Sequence, residues 1–262
     1  MIKVILFDLD GVLVDAKKIH YDTLNQALSE IDEKFIISES EHLSIYDGLK
    51  TTQKLELLTK NKGLHPEFYD TIWHRKQYLT IEVISQIKVD DRLVSVFKEL
   101  RDKGYKLGCC SNSIRRSVLT MLSKVGVIEY LDLILSNEDV TNSKPHPEIY
   151  WKAMSMLGVL PDETLIVEDS PYGLLAAHRS CSNVLRVDSP KDLTINKIND
   201  RLYKVNDMIM KPKWDGGNLN ILIPMAGAGS RFQQAGYTFP KPLIDVNGKP
   251  MIQVVVDNIN IE

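Results

Sequence analysis

An apolar run that stops abruptly at two acidic residues constrains this chain more than anything else in it. Val4-Ile-Leu-Phe7 is followed by Asp8-Leu-Asp10-Gly11, almost at the start. Such a run predicts a buried strand, and Gly11 predicts a tight turn after it. Asp is a poor strand former, and a carboxylate at the end of a buried strand is costly without a partner. Two carboxylates two residues apart therefore predict a cation, a proton relay, or both at this strand end. Alone, an Asp-x-Asp is ordinary turn chemistry, so its meaning depends on what else the chain brings there.

The rest of the chain supplies a sheet for that strand. After Val89, amphipathic stretches alternate with short apolar ones. Leu93, Val94, Val96, Phe97 and Leu100 make one helix face, ending near Gly104. Val118, Leu119, Leu122 and Val125 make the next, closed by Gly126, and residues 149–157 a third, closed by Gly158. A short helix is expected around 174–177. Strands are expected at 105–110, 131–135, 164–167 and 184–187. This rhythm predicts an α/β fold, a Rossmann-like parallel sheet covered by helices on both faces. Residues 16–89 break the rhythm: their apolar residues recur at helical spacing with no strand between, which predicts a helical insert. The expected division is a core of 1–15 and 90–187, a helical cap of 16–89, a polar linker with some helix at 188–218 and a further segment of 219–262.

In such sheets the polar site lies beyond the carboxyl ends of the strands, so the residues that follow each strand should converge. They are Asp8 and Asp10, Ser111 and Asn112, Lys144 within Ser-Lys-Pro-His-Pro, and Glu168-Asp169-Ser170. Carboxylates, hydroxyls and one lysine at a single edge suit a divalent metal and a phosphate. A hard cation such as Mg²⁺ takes oxygen ligands, and Asp8, Glu168 and Asp169 could supply them. Lys144 would place a point charge on phosphoryl oxygens, with Ser111 donating hydrogen bonds. A carboxylate at such a site can attack phosphorus, and a second can carry the proton; Asp8 and Asp10 fit those two roles.

Taken in chain order, Asp8-Leu-Asp10-Gly-Val-Leu-Val-Asp15, Ser111-Asn112, Lys144-Pro145 and Glu168-Asp169-Ser170 resemble the four motifs of the haloacid dehalogenase (HAD) superfamily. The likeness covers about residues 1–190 and is nearest to the branch of β-phosphoglucomutases and phosphoglycolate phosphatases with an α-helical cap. It implies an Asp8 nucleophile, an Asp10 general acid/base, and phosphate held by Ser111, Asn112 and Lys144. It also implies Mg²⁺ on Asp8, the Asp10 carbonyl and Asp169, with Glu168 beside it. His20 and Lys76 match substrate-facing cap positions. Ala16 stands where the mutases carry Thr, and Thr51 where their cap loop carries an Arg that holds the distal phosphate. Those departures favour hydrolysis of a small sugar or polyol phosphomonoester over a phosphomutase. A non-catalytic module of a bifunctional enzyme is the remaining alternative, disfavoured by the complete set of catalytic side chains.

Beyond residue 219 the chain changes character. Asn220-Ile-Leu-Ile-Pro-Met-Ala-Gly-Ala-Gly-Ser-Arg231 and Pro240-Lys-Pro242 resemble the opening of a sugar-phosphate nucleotidyltransferase, whose glycine-rich loop grips a nucleoside triphosphate. About 43 residues of that pattern are present, Asn220 to Glu262, fewer than a domain usually needs to fold alone. The expectation is a truncated piece of a longer two-enzyme chain, open to proteolysis and inactive in nucleotidyl transfer.

Composition narrows the remaining classes. A net charge of −3 with no basic block favours neither nucleic acid nor an acidic membrane surface. No apolar run approaches the roughly 20 residues that span a bilayer, and the N-terminus lacks the shape of a signal peptide. Cys109, Cys110 and Cys181 are an odd, sparse set, expected as buried thiols in a reducing compartment. The expected location is cytoplasmic.

Overall fold

The structure, a computed structural model, describes residues 1–210 and, further on, a two-stranded antiparallel ribbon of Asp245–Val246 and Lys249–Pro250. The nucleotidyltransferase-like motif at 220–242 lies outside the described residues.

β1 (Val4–Phe7) is the centre of a five-stranded parallel sheet. Around it stand β2 (Lys106–Cys110), β3 (Leu133–Leu135), β4 (Thr164–Glu168) and β5 (Asn183–Arg186), in the order β3-β2-β1-β4-β5. The predicted α/β class is the observed one. β1 explains why the sheet needs helices on both faces. Its alternate residues point opposite ways: Ile5 and Phe7 join one apolar cluster, Val4 and Leu6 another. The first cluster is covered by α5 (Asp91–Asp102) and α6 (Arg115–Val125), with Phe97 stacked 4.8 Å from Phe7. The second is covered by α7 (Glu148–Leu157) and α8 (Pro171–Arg179) through Ile149, Tyr150, Ala153 and Ala177. The same alternation sends Cys109 to one face and Cys110 to the other, both fully buried. Cys181 departs from expectation: it is exposed, in the turn after α8 with φ +64°.

Between β1 and α5 the chain is helical. α1 (Lys17–Ser29), a single turn α2 (Glu39–Glu41) that runs into a π-turn at His42–Tyr46, α3 (Thr51–Lys62) and α4 (Tyr69–Ile84) pack around their own cluster. Leu24, Leu28, Phe35, Leu55, Leu58 and Ile72 form its centre. Ile84, at the end of α4, belongs instead to the sheet's core.

Within the segment read as a linker with some helix, the chain forms a 3₁₀ turn at Pro190–Asp192 and a helix, α9 (Ile195–Met210), whose Ile198, Leu202 and Val205 are buried in the first cluster. Spacings of four and three put these side chains on one face of a helix. That periodicity is hidden by the polar residues between them.

Candidate active site

The convergence expected at the strand ends is present. Asp8 follows β1, held by its N–H to the Val167 carbonyl of β4 at 3.0 Å. The loop after β3 carries Lys144 beneath it. Lys144 Nζ donates to Asp8 Oδ1 and Glu168 Oε1, both at 2.6 Å, and to the Cys110 carbonyl at 2.8 Å. Tyr150 of α7 donates to the same Glu168 oxygen at 2.7 Å, and the Asp169 N–H to the other at 3.0 Å. Glu168 is fully buried and bonded on both oxygens, so it orients Lys144. Gly173 allows this approach, since a Cβ there would overlap the Glu168 carboxylate.

A fit to a divalent cation can be judged from the donors. Asp8, Glu168 and Asp169 each bring one carboxylate oxygen within 4.8 Å of the others. No hydrogen-bond donor among the described residues satisfies Asp169 Oδ1, although it is buried. Its Oδ2 lies 2.7 Å from Lys17 Nζ. Burial, and then Glu168 against the pull of Lys17, raises Asp169 to about 6. Burial likewise pushes Asp8 up against the pull of Lys144, with Glu168, Asp169 and Asp10 adding to the rise. Crowded, dehydrated oxygen donors of this kind suit Mg²⁺, whose charge would favour their ionised forms. Gly11, at φ +93°, leaves the room: a side chain there would collide with Asp169 Oδ2.

Asp10 sits in a different setting. It accepts from His20 Nε2 at 2.9 Å, Ser113 Oγ at 2.8 Å and Ser111 Oγ at 3.3 Å. Burial alone would raise its pKa, but His20, the Ser113 hydroxyl and Lys76 outweigh it and hold Asp10 at about 2. Lys76 Nζ lies 3.1 Å from His20 Nδ1. With Lys76 as donor, that contact assigns the neutral tautomer bearing its proton on Nε2, toward Asp10. Burial, and then Lys76, lowers the pKa of His20, which favours this form.

These groups border one cavity of about 590 Å³, floored by Asp8, Asp10 and Lys144 and roofed by His20, Gly48, Lys54, Trp73 and Lys76 of the helical insert. Two expected phosphate contacts sit differently from their sequence reading. Ser111 is fully buried and lies off the cavity wall, which Ser113 lines instead. Asn112 does line it, but its amide donates to the Gly48 carbonyl at 2.9 Å, and its Oδ1 accepts from the Lys144 N–H at 3.2 Å. Sequence reasoning missed Ser113, Tyr150, Lys17 and Lys54. Ser113 was one residue beyond a quoted motif, and Lys54 adjoins the apolar Leu55–Leu58 face of α3, whereas Tyr150 had no local signal.

Residues 5–187 match the family model of the haloacid dehalogenase-like hydrolases. The chain belongs to that family. A phosphoglycolate phosphatase of Aquifex aeolicus is 30% identical over 179 residues, 68% of this chain and 81% of the relative. A pyrophosphatase, PpaX, of Oceanobacillus iheyensis is 26% identical over 186 residues, 68% of this chain and 80% of the relative. Among solved structures, β-phosphoglucomutase from Clostridium difficile superposes with a TM-score of 0.70 at 22% identity, covering 80% of this chain and all of that one. Among the described residues, no helix is long and apolar enough to cross a membrane.

Proposed function

We propose that this chain is a Mg²⁺-dependent phosphatase that hydrolyses a small sugar or polyol phosphomonoester through an aspartyl-phosphate on Asp8. The observation that carries the reading is Asp8 itself: a buried carboxylate on the cavity floor, held at 2.6 Å by Lys144, with Asp10 two residues away in its own donor set. Asp8, Asp169 and the Asp10 carbonyl would hold the cation, with Glu168 behind Lys144; when bound, it neutralises charge on the phosphoryl oxygens.

An Asp8 oxygen forms the new bond to phosphorus as the ester P–O bond breaks, and Asp10, in its acid form for this step, gives the leaving oxygen the proton with which it departs as the alcohol. Water then attacks phosphorus, inorganic phosphate departs and the Asp8 carboxylate is regenerated. Asp10, by then ionised, the form its hydrogen-bond donors favour, takes the proton from that water and so recovers the acid form for the next cycle. Lys144 stabilises the charge that develops on the transferred group. The roof of the insert excludes bulk water from the intermediate. The named activities of the relatives, a phosphoglycolate phosphatase and a pyrophosphatase, support cleavage at a phosphoryl group. Thr51 on the cavity wall, where mutases carry Arg, supports water over a sugar hydroxyl as acceptor.

Phosphate release from a panel of sugar and polyol phosphates tests this. Release should require Mg²⁺, stop on chelation, and fall at least a thousandfold in Asp8→Asn. No release across the panel, or equal release by Asp8→Asn, overturns it. An isomerised sugar phosphate as main product would instead assign the mutase.

A further inference from the structure

One ion pair at the edge of the cavity has no part in the transfer steps, yet it touches a carboxylate suited to the cation. Lys17 is the first residue of α1, so it belongs to the helical insert, and its side chain reaches back over the Gly11 turn to the loop after β4. Its Nζ lies 2.7 Å from Asp169 Oδ2 and 3.4 Å from Asp47 Oδ2. The Gly11 turn leaves space for this approach: a Cβ there would come within 2.9 Å of Lys17 Cε as well as striking Asp169. The two carboxylates differ in place. Asp169 follows β4 directly and its side chain is 1% exposed, whereas Asp47 ends the π-turn of the insert and is 15% exposed. Asp47 has no other ion pair among the described residues. In a buried setting opposite charges attract strongly, and like charges repel as strongly. An ammonium and a divalent cation on one buried carboxylate therefore compete for it.

We propose that Lys17 is an internal competitor of the cation: its ammonium holds Asp169 until Mg²⁺ binds there, and is then handed over to Asp47. This rests on the reading of Asp169 as a cation ligand. The hand-over is short, because Lys17 lies beside both carboxylates, and its side chain is 29% exposed, with room to move. The ammonium keeps a counter-ion in either position, whereas a lysine serving Asp169 alone would be left unpaired next to a double positive charge. Two consequences follow from the placement. Mg²⁺ affinity is set below what the carboxylates alone would give. Loading the cation also exchanges a contact between insert and sheet, Lys17 to Asp169, for one within the insert, Lys17 to Asp47, so the seating of α1 at the sheet edge responds to the cation.

Calorimetric titration of the full chain with Mg²⁺, without substrate, reads the competition directly. Lys17→Met and Lys17→Gln should each bind Mg²⁺ at least fivefold more tightly than the native chain, and Lys17→Arg should stay within twofold of it. A lysine needed only for folding, or only to orient Asp169, would give weaker binding when replaced, the opposite sign. Asp47→Asn removes the second position of the ammonium. It should weaken binding at least fivefold in the native background, but twofold or less in the Lys17→Met background, where there is no ammonium to hand over. Binding by both neutral variants that is equal to or weaker than native overturns the proposal. So does an Asp47→Asn effect of equal size in the two backgrounds, which would mean that Asp47 acts on the cation by its own charge. If no chain binds Mg²⁺, the cation reading fails and the proposal with it; equal binding by native and Lys17→Met leaves that reading standing and overturns the proposal alone.

Discussion

Lys54 is the residue at which burial and charge oppose each other most directly. Its burial disfavours the ammonium form and outweighs Asp47 and Asp10, which favour it. Its pKa is about 8 in the folded chain against an ordinary 10.5. Below pH 8 it is charged in both folded and unfolded chains, so the cost of burying the ammonium is fully present. Between 8 and 10.5 the unfolded chain binds the extra proton, and stability rises with pH from this group; above that range the cost is gone. Lys54→Met should therefore stabilise the ligand-free protein by about 2 kcal/mol at pH 6.5, with the gain shrinking toward zero by pH 10.5. Urea unfolding at several pH values measures it, and a gain independent of pH would refute the account. The lysine was not read from the sequence, because Asp10 and Lys76 lie far from it along the chain and only the fold brings their charges together. Asp8, Asp10 and Lys144 were easier to read, because each follows a strand or sits in a stiff Lys-Pro-His-Pro loop.

At the level of elements, the strands were legible because burial on both faces leaves them uniformly apolar. Val4–Phe7 and Thr164–Glu168 are buried at every position. Two helix N-termini are capped by side chains: Asp90 accepts from the Leu93 N–H at 3.0 Å, and Ser170 from the Gly173 N–H at 3.1 Å. α9 was legible only as some helix within a linker, because its apolar face has meaning only against β1 and its neighbours. The helix is tied to the sheet by more than packing: Asn206 Oδ1 accepts from the Ile2 N–H at 3.0 Å, and Arg201 Nε donates to the Val184 carbonyl at 3.0 Å. Leu202, 4% exposed, lies between those two ties. Leu202→Ala should cost about 3 kcal/mol through lost burial and the cavity left behind. A change in the urea midpoint equivalent to less than 0.5 kcal/mol, about the effect of an ordinary surface substitution, would return residues 195–206 to the status of a linker.

At the scale of residues 1–210, two bodies of apolar side chains meet across a polar cavity. The sheet and its helices hold one, and α1, α3 and α4 hold the other around Leu24, Leu28, Leu55 and Ile72. The links bordering the cavity are polar: His20 to Asp10, Asn112 to the Gly48 carbonyl, and Lys17 between Asp47 and Asp169. Polar junctions of this kind favour relative motion, which a site that admits substrate and then excludes water requires. The insert should accordingly open or unfold as a unit without loss of the sheet. Ile84 bounds that unit, since it is packed into the sheet's core. Leu28→Ala, at a fully buried position of the insert, removes contacts from the smaller body alone. Native-state hydrogen exchange should then show amides of α1, α3 and the first half of α4 opening more readily by about 3 kcal/mol, the usual cost of such a truncation. Amides of β1 and β4 should keep their protection to within about 0.5 kcal/mol. Phe97→Ala, under the sheet, should lower the protection of β1 and β4, and that of the insert only once global unfolding becomes its easier route of opening. Equal loss of protection in both bodies with Leu28→Ala would mean that they form one cooperative unit, and that access to Asp8 depends on local loop motion around Gly48.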